Sequence, residues 1–178
     1  RSGYQGAKKL VQSAGLQARP IGIDEQGLDV GQLMQASGGG RGVYITPSHH
    51  YPLGYSLSLE RRLALLQWAQ RQRAWIIEDD YDAEFNYDRQ TKAALQGLDS
   101  GGRTLYIGTF SKTLFPGLRI GFMIAPPQLV RPLVAARQFQ DGYTSALAQM
   151  TLFHFLHEGG YAEHLRNMRT LYKARLDV

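Results

Sequence analysis

AWIIEDDYD, residues 74–82, runs from a bulky apolar stretch directly into four acidic side chains and a tyrosine. Trp75, Ile76 and Ile77 have the β-branched and aromatic character of a buried strand, and the change to carboxylates marks where that strand ends. If the backbone stays extended through Tyr81, residues two apart share a face. Asp79 and Tyr81 then point one way, Glu78 and Asp80 the other. A carboxylate and a phenol so placed can grip a heteroaromatic ring that carries a basic nitrogen and a hydroxyl. The carboxylate would keep the nitrogen protonated, and the phenol would hydrogen-bond the hydroxyl oxygen. The same segment also suits a metal-binding or solvated acidic turn.

Working outward, the pattern repeats. GVYIT (42–46) is a short apolar run stopped by Pro47, as a buried parallel strand reads, and it opens into TPSHHYPLG. TLYIGTF (104–110) leads into Ser111-Lys112, and RIGFMIAP (119–126) is a further strand. Helical patterns lie between and after these runs. GYQGAKKLVQSAG (3–15) reads as a helix stopped at Gly15, LQARPIGID (16–24) as a short strand, and DEQG (24–27) as a turn. DVGQLMQAS (29–37) is a short helix with Asp29 at its N-cap. SLERRLALLQWAQRQR (58–73) is the clearest helix, capped by Ser58, with Leu59, Leu63, Leu66 and Gln70 along one stripe beside Leu65 and Ala69. From Pro126 the chain turns helical, through PPQLVRPLVAARQF, SALAQMTLFHFLHEGG and YAEHLRNMRTLYKARL. Strands alternating with helices predict an α/β fold, a mostly parallel sheet covered by helices on both faces. Ligand groups in such sheets gather at the carboxyl ends of strands, where all three polar clusters fall.

Composition narrows the function classes. The 178 residues are 43% hydrophobic, enough for one sizeable core or a large piece of a bigger domain. No run of about 18 apolar residues suggests a transmembrane helix, and RSGYQGAKKL lacks the apolar stretch of a secretory signal. Without cysteine there are no disulfides and no thiolate metal sites, which fits a cytosolic protein. The net charge of +5 favours an anionic ligand. No dense basic run supports nucleic-acid binding by this chain; Arg166, Arg169, Lys173 and Arg175 read as a solvated helix face.

GTFSKTLFPGLRIGF (108–122) carries the second half of the chemistry. A P-loop NTPase would need G-x-x-x-x-G-K-[ST], which the chain lacks, so Ser111-Lys112-Thr113 is not that cradle. In an extended segment the Thr109 and Ser111 hydroxyls face one anion, and Arg119 supplies a planar fork of donors for phosphate. Lys112, beside apolar Phe110 and Leu114, reads either as a loop charge or as an amine activated by partial burial for Schiff-base chemistry.

Together, TPSHHYPLG, IIEDDYDAEFNYD and YIGTFSKTLFPGLRIGF resemble the aminotransferase-like domain of the MocR subgroup of GntR transcription regulators, within the fold type I pyridoxal-phosphate enzymes. The resemblance runs through almost the whole chain and implies a three-layer α/β/α large domain. It implies pyridoxal 5'-phosphate as cofactor, with Lys112 forming the internal aldimine. It further implies Asp79 on the pyridine nitrogen, Tyr81 on the ring hydroxyl, and Thr109, Ser111 and Arg119 on the phosphate. Asp79 and Lys112, 33 residues apart, suit neighbouring strands. The chain departs from the pattern where relatives show S-H-Q-[FY]-P-T-G: it has His50 for Gln and Leu53 for Thr. Tyr51 stands where free-standing aminotransferases carry an Asn that contacts the ring, so that contact falls to His49 or His50, each of which also reads as a structural histidine, and Tyr51 is a further cofactor-binding candidate.

The resemblance also implies a larger protein. A winged helix-turn-helix domain with its linker, an upstream part of the large domain and a small C-terminal domain are expected outside residues 1–178. A homodimer is expected, contacting DNA only through the winged helix. Three functions follow. The chain is the effector-sensing part of a regulator that binds an amino acid or amine; or a free-standing aminotransferase with a 2-oxo acid as acceptor; or a scaffold that keeps the fold for dimerisation without cofactor. The intact set of Asp79, Tyr81, Lys112 and Arg119 argues against the third.

Overall fold

A computed structural model describes residues 3–36, 40–87 and 93–176. Ser37 and Asp88, which end two of the segments quoted above, lie outside the described residues. The chain divides into two compact units: Arg1–Tyr81 with Lys92–Ile107 and Met123–Pro126, and Asp82–Thr91 with Gly108–Phe122 and Pro127–Val178.

The first unit opens with α1 (Gln5–Ser13), which ends before Gly15 in the left-handed region at φ 73°. The strand expected over 16–24 shrinks to β1 (Ile23–Asp24), paired antiparallel with β2 (Gly27–Leu28) across the expected turn. Pro20 offers no N–H for a ladder, and the residues before it form no strand. Gly27 sits at φ 90°, and a Cβ there would stand 2.9 Å from the Leu57 Cα. Gly27→Ala is therefore expected to cost about 1–3 kcal/mol in backbone strain alone. A urea titration should show a lower midpoint at unchanged slope. Asp29 caps α2 (Val30–Gln35) as expected, accepting from the Gln32 N–H at 2.9 Å.

β3 (Gly42–Ile45) and β4 (Trp75–Asp80) pair in parallel, Val43 opposite Ile76 and Ile45 opposite Glu78. The strand order is β3-β4-β5-β6, with β5 (Thr104–Thr109) and β6 (Gly121–Ile124), in a mostly parallel mixed sheet. Along β4 burial alternates residue by residue: Ile76, Glu78 and Asp80 face the core, and Ile77 and Asp79 face away. The core gathers Val30 and Leu33 of α2, Val43, Ile45 and Ile76 of the sheet, and Leu65, Trp68 and Ala69 of α3 (Leu59–Gln72).

Ser58 caps α3, accepting from the Arg61 N–H, but the buried stripe is not the expected one. Leu59 and Leu63 are 56% and 46% exposed, whereas Arg62, Leu65, Trp68 and Ala69 are buried. Both sets satisfy helical spacing. Hydropathy assigns an arginine to solvent because a buried charge is costly without partners, and here the partners exist. Arg62, 1% exposed, donates to the carbonyls of Leu57, Ala93 and Pro47 at 3.1, 3.0 and 2.9 Å. It also lies 3.9 Å from the Glu78 carboxylate. Glu78 in turn accepts the Leu95 and Gln96 N–H groups at 2.8 and 2.9 Å, at the start of α4 (Leu95–Leu98).

The second unit carries α5 (Pro127–Asp141), α6 (Ala146–His157) and α7 (Gly160–Leu176). Ser145 caps α6. Of the four basic residues expected on a solvated face, Arg169 is engaged instead. It donates to the Glu84 and Asn86 carbonyls and lies 5.7 Å from the Tyr87 ring centre. Among the described residues, no helix is long and apolar enough to cross a membrane.

Candidate functional site

The three polar clusters fall at the carboxyl ends of β3, β4 and β5, where the loops leave the ladder.

In the first unit, β4 delivers Asp79 to the face away from the core, as strand alternation required. The Tyr44 hydroxyl, from β3, donates to Asp79 Oδ2. Tyr44 was not among the residues singled out from the sequence. Its signal was a polar-tipped aromatic in the middle of GVYIT, one strand over from the acidic cluster. Tyr81 follows the last residue of β4, and its hydroxyl donates to the His49 carbonyl at 3.2 Å. His49 thus meets Tyr81 through its main chain. The Tyr51 ring stands edge-on to Tyr81 at 6.3 Å and edge-on to Tyr4 at 6.1 Å, centre to centre. The Tyr51 N–H donates to Thr46 Oγ1 at 3.0 Å, fixing the turn into the loop. His50 Nδ1 is buried without a hydrogen-bond partner among the described residues. Burial also pushes the His50 ring below the ordinary histidine pKa, so its neutral form is favoured. Asp79, Tyr81, His49 and Tyr51 therefore converge, with Tyr44 as an unanticipated member. On the core face, Asp80 accepts from the Tyr106 hydroxyl at 2.9 Å, while Glu78 belongs to the Arg62 network.

In the second unit, the segment after β5 departs from the extended reading. The chain turns at Phe110, and the Leu114 N–H reaches the Phe110 carbonyl at 2.9 Å. Thr109 and Ser111 are brought together by a local bond in which the Ser111 N–H donates to Thr109 Oγ1 at 3.1 Å. This side chain-to-backbone bond competes with strand continuation. Thr109 still has its O–H to donate. Lys112 is exposed, so the expected partial burial is not what the structure shows; burial falls on its neighbour Thr113, 1% exposed. Thr113 is gripped from α7. The Tyr161 hydroxyl donates to Thr113 Oγ1 at 3.1 Å, and His164 Nε2 meets the Thr113 carbonyl at 2.8 Å. The chain beside Lys112 is thereby fixed while the amine projects outward. Arg119 is exposed and adopts the left-handed conformation, φ 53°, after the turn Pro116–Leu118 and before β6. A non-glycine residue held there is uncommon.

Each unit by itself carries groups whose chemistry suits one part of pyridoxal phosphate. A strand-held carboxylate and a phenol stand together in the first unit. In the second unit, two hydroxyls, an amine and a guanidinium lie along the loop between β5 and β6. The model of the family described as aminotransferase class I and II matches residues 2–178. The chain belongs to the aminotransferase class I and II family.

Similarity to other members extends across the chain. It is 43% identical over 176 residues to the probable rhizopine catabolism regulatory protein MocR of Rhizobium meliloti, covering 99% of this chain and 35% of that protein. Thus the chain spans about a third of that curated relative's length. The crystal structure of the Pyrococcus horikoshii kynurenine aminotransferase, in complex with PMP, KYN as substrates and KYA as products, superposes with a TM-score of 0.93 at 30% identity, over 98% of this chain and 45% of that one. The α-aminoadipate aminotransferase LysN of Thermus thermophilus, complexed with N-(5'-phosphopyridoxyl)-L-leucine, gives 0.90 at 31% identity, over 97% and 45%. These likenesses bear out the α/β large-domain fold and the relationship to MocR-type regulators.

Proposed function

We propose that this chain is the pyridoxal-phosphate-binding, effector-sensing part of a MocR-type transcription regulator. The observation that carries the reading is the 43% identity to the MocR regulator over 99% of the chain, against 30% and 31% for the two aminotransferases of known structure. The winged-helix domain that contacts DNA, the upstream part of the large domain and the small domain would lie outside residues 1–178. The full protein would act as a cytoplasmic homodimer.

Each residue has a task in this reading. Asp79 holds a proton at the ring nitrogen, and Tyr81 orients the ring hydroxyl. Thr109 and Ser111 donate hydroxyls to the phosphate, and Arg119 adds a charge-assisted fork. Lys112 supplies the amine that attaches the cofactor. His49, the neutral His50 and Tyr51 contact the ring where an Asn is missing. Pyridoxal phosphate, when bound, supplies an electron sink for bond breaking next to an amine nitrogen. Lys112 would be the group that an incoming amino acid or amine displaces, which would make it the residue through which effector binding is sensed.

The alternative, a free-standing aminotransferase, is favoured by the high TM-scores to enzymes. The two separate on turnover. The chain mixed with pyridoxal phosphate, a panel of amino acids and a 2-oxo acid is expected to change its visible spectrum on amine addition without sustained formation of product. Continued release of new 2-oxo acid beyond one equivalent per chain would overturn the regulator reading in favour of the enzyme.

A further inference from the structure

Asp79 does not stand alone on its face of the sheet. β3 and β4 run in parallel with Tyr44 opposite Ile77, so Tyr44 and Asp79 lie on the same face, two residues apart along the strands. A phenol is long enough to cross that step, and its hydroxyl meets Asp79 Oδ2. We propose that Tyr44 is a positioning residue for Asp79, pinning the carboxylate on the face where the cofactor ring would lie and lowering its basicity. The inference rests on the reading of Asp79 as the partner of the ring nitrogen.

Three observations support it. First, Tyr44 is held by the strand itself, in the middle of β3, so its hydroxyl has a fixed origin. Second, burial, and next the hydrogen bond with Asp79, push the Tyr44 hydroxyl well above the ordinary tyrosine pKa, so it stays protonated and donating. The other groups acting on it electrostatically, Tyr4 at the start of α1 and Tyr81 beyond β4, are phenols as well. Third, a hydroxyl donating to an ionised carboxylate makes a charge-assisted bond that stabilises the anion and depresses its proton affinity. Asp79 must keep the ring nitrogen protonated without taking the proton itself. A donor on the far oxygen moves the balance in that direction.

The test reads Asp79 directly. The full chain is enriched with ¹³C-aspartate, the Asp79 carboxyl signal is assigned from its loss in Asp79→Asn, and the signal is titrated without cofactor. In Tyr44→Phe the Asp79 pKa is expected to rise by about one pH unit. A second variant guards against a folding defect: 3-fluorotyrosine at position 44, a stronger donor of nearly the same shape, should move Asp79 the opposite way. A titration unchanged in both variants overturns the proposal. The ring signal of bound ¹⁵N-pyridoxal phosphate is then followed with pH. In Tyr44→Phe the ring-nitrogen signal should move toward that of an unprotonated ring, because a more basic carboxylate draws the shared proton to itself. An unchanged ring titration in Tyr44→Phe, with a clear change in Asp79→Asn, also overturns the proposal. If Asp79→Asn itself leaves the ring signal as in the wild type, the reading of Asp79 has failed and the inference falls with it. The cofactor-free titration would then still report whether Tyr44 and Asp79 are coupled.

Discussion

Arg62→Ala is expected to destabilise the fold by about 3–5 kcal/mol, the cost of leaving one half of a buried ion pair behind. Arg62 and Glu78 are 1% and 0% exposed, so water does not take over the lost contacts. The substitution strands the Leu57, Ala93 and Pro47 carbonyls and leaves the Glu78 carboxylate, among the described residues, with the Leu95 and Gln96 backbone donors. It should lower the thermal midpoint by roughly 10 °C. The deficit should also depend on pH with a definite sign. Burial already holds the Glu78 carboxyl above the ordinary glutamate pKa, against the opposing pull of its backbone donors and Arg62. Removing Arg62 raises it further. A carboxyl whose folded pKa exceeds its unfolded one favours the fold below the unfolded value and loses that contribution as the pH rises through the folded value. The variant's deficit should therefore be smaller at acid pH, below the ordinary glutamate pKa, than near neutrality. Denaturant unfolding of both proteins across that range checks it; an equal deficit at every pH would show that Glu78 does not respond to Arg62.

Lys112→Ala is expected to abolish covalent attachment of pyridoxal phosphate while leaving the fold intact. The wild-type chain should develop the visible absorption of a lysine-linked cofactor, and borohydride should then fix a phosphopyridoxyl group on the peptide containing Lys112. The variant should show neither. Its stability should change by less than about 0.5 kcal/mol, because Lys112 is exposed and the hydrogen bonds that fix the loop belong to Thr113, Tyr161 and His164. Persistence of the band in the variant, or label on another lysine, would remove Lys112 from its role. That contrast separates a chemical role from a packing role, since the anchor and the amine sit on adjacent residues.

Most of the framework was legible in the residues. The caps at Asp29 and Ser58 are short polar side chains placed just before helical runs, and each accepts from a first-turn N–H. The alternation along WIIEDD fixed the side of the sheet that Asp79 occupies, because a pleated strand leaves no choice once one face is buried. The misplaced stripe on α3 has a physical source. Leu59-Leu63-Leu66 and Arg62-Leu65-Ala69 have equivalent helical spacing, and hydropathy alone ranks leucine above arginine. Only the carbonyls and carboxylate that surround Arg62 reverse the order, and they come from residues up to 31 positions away in sequence.

The candidate site divides along the same line. Its chemistry was written in local order: a carboxylate and phenol at a strand end, then hydroxyls, an amine and a guanidinium after the next strand. These features need only backbone periodicity and residue type, which sequence carries. The Tyr44 bond to Asp79, the turn that ties Ser111 to Thr109, and the grip of Tyr161 and His164 on Thr113 were decided by tertiary structure. The strand neighbour, the local bond that stops an extended run and the helix 48 residues downstream are each set by where the packed core places distant backbone. Residue type therefore determined which groups this protein brings to its chemistry, and packing determined which of them are held still.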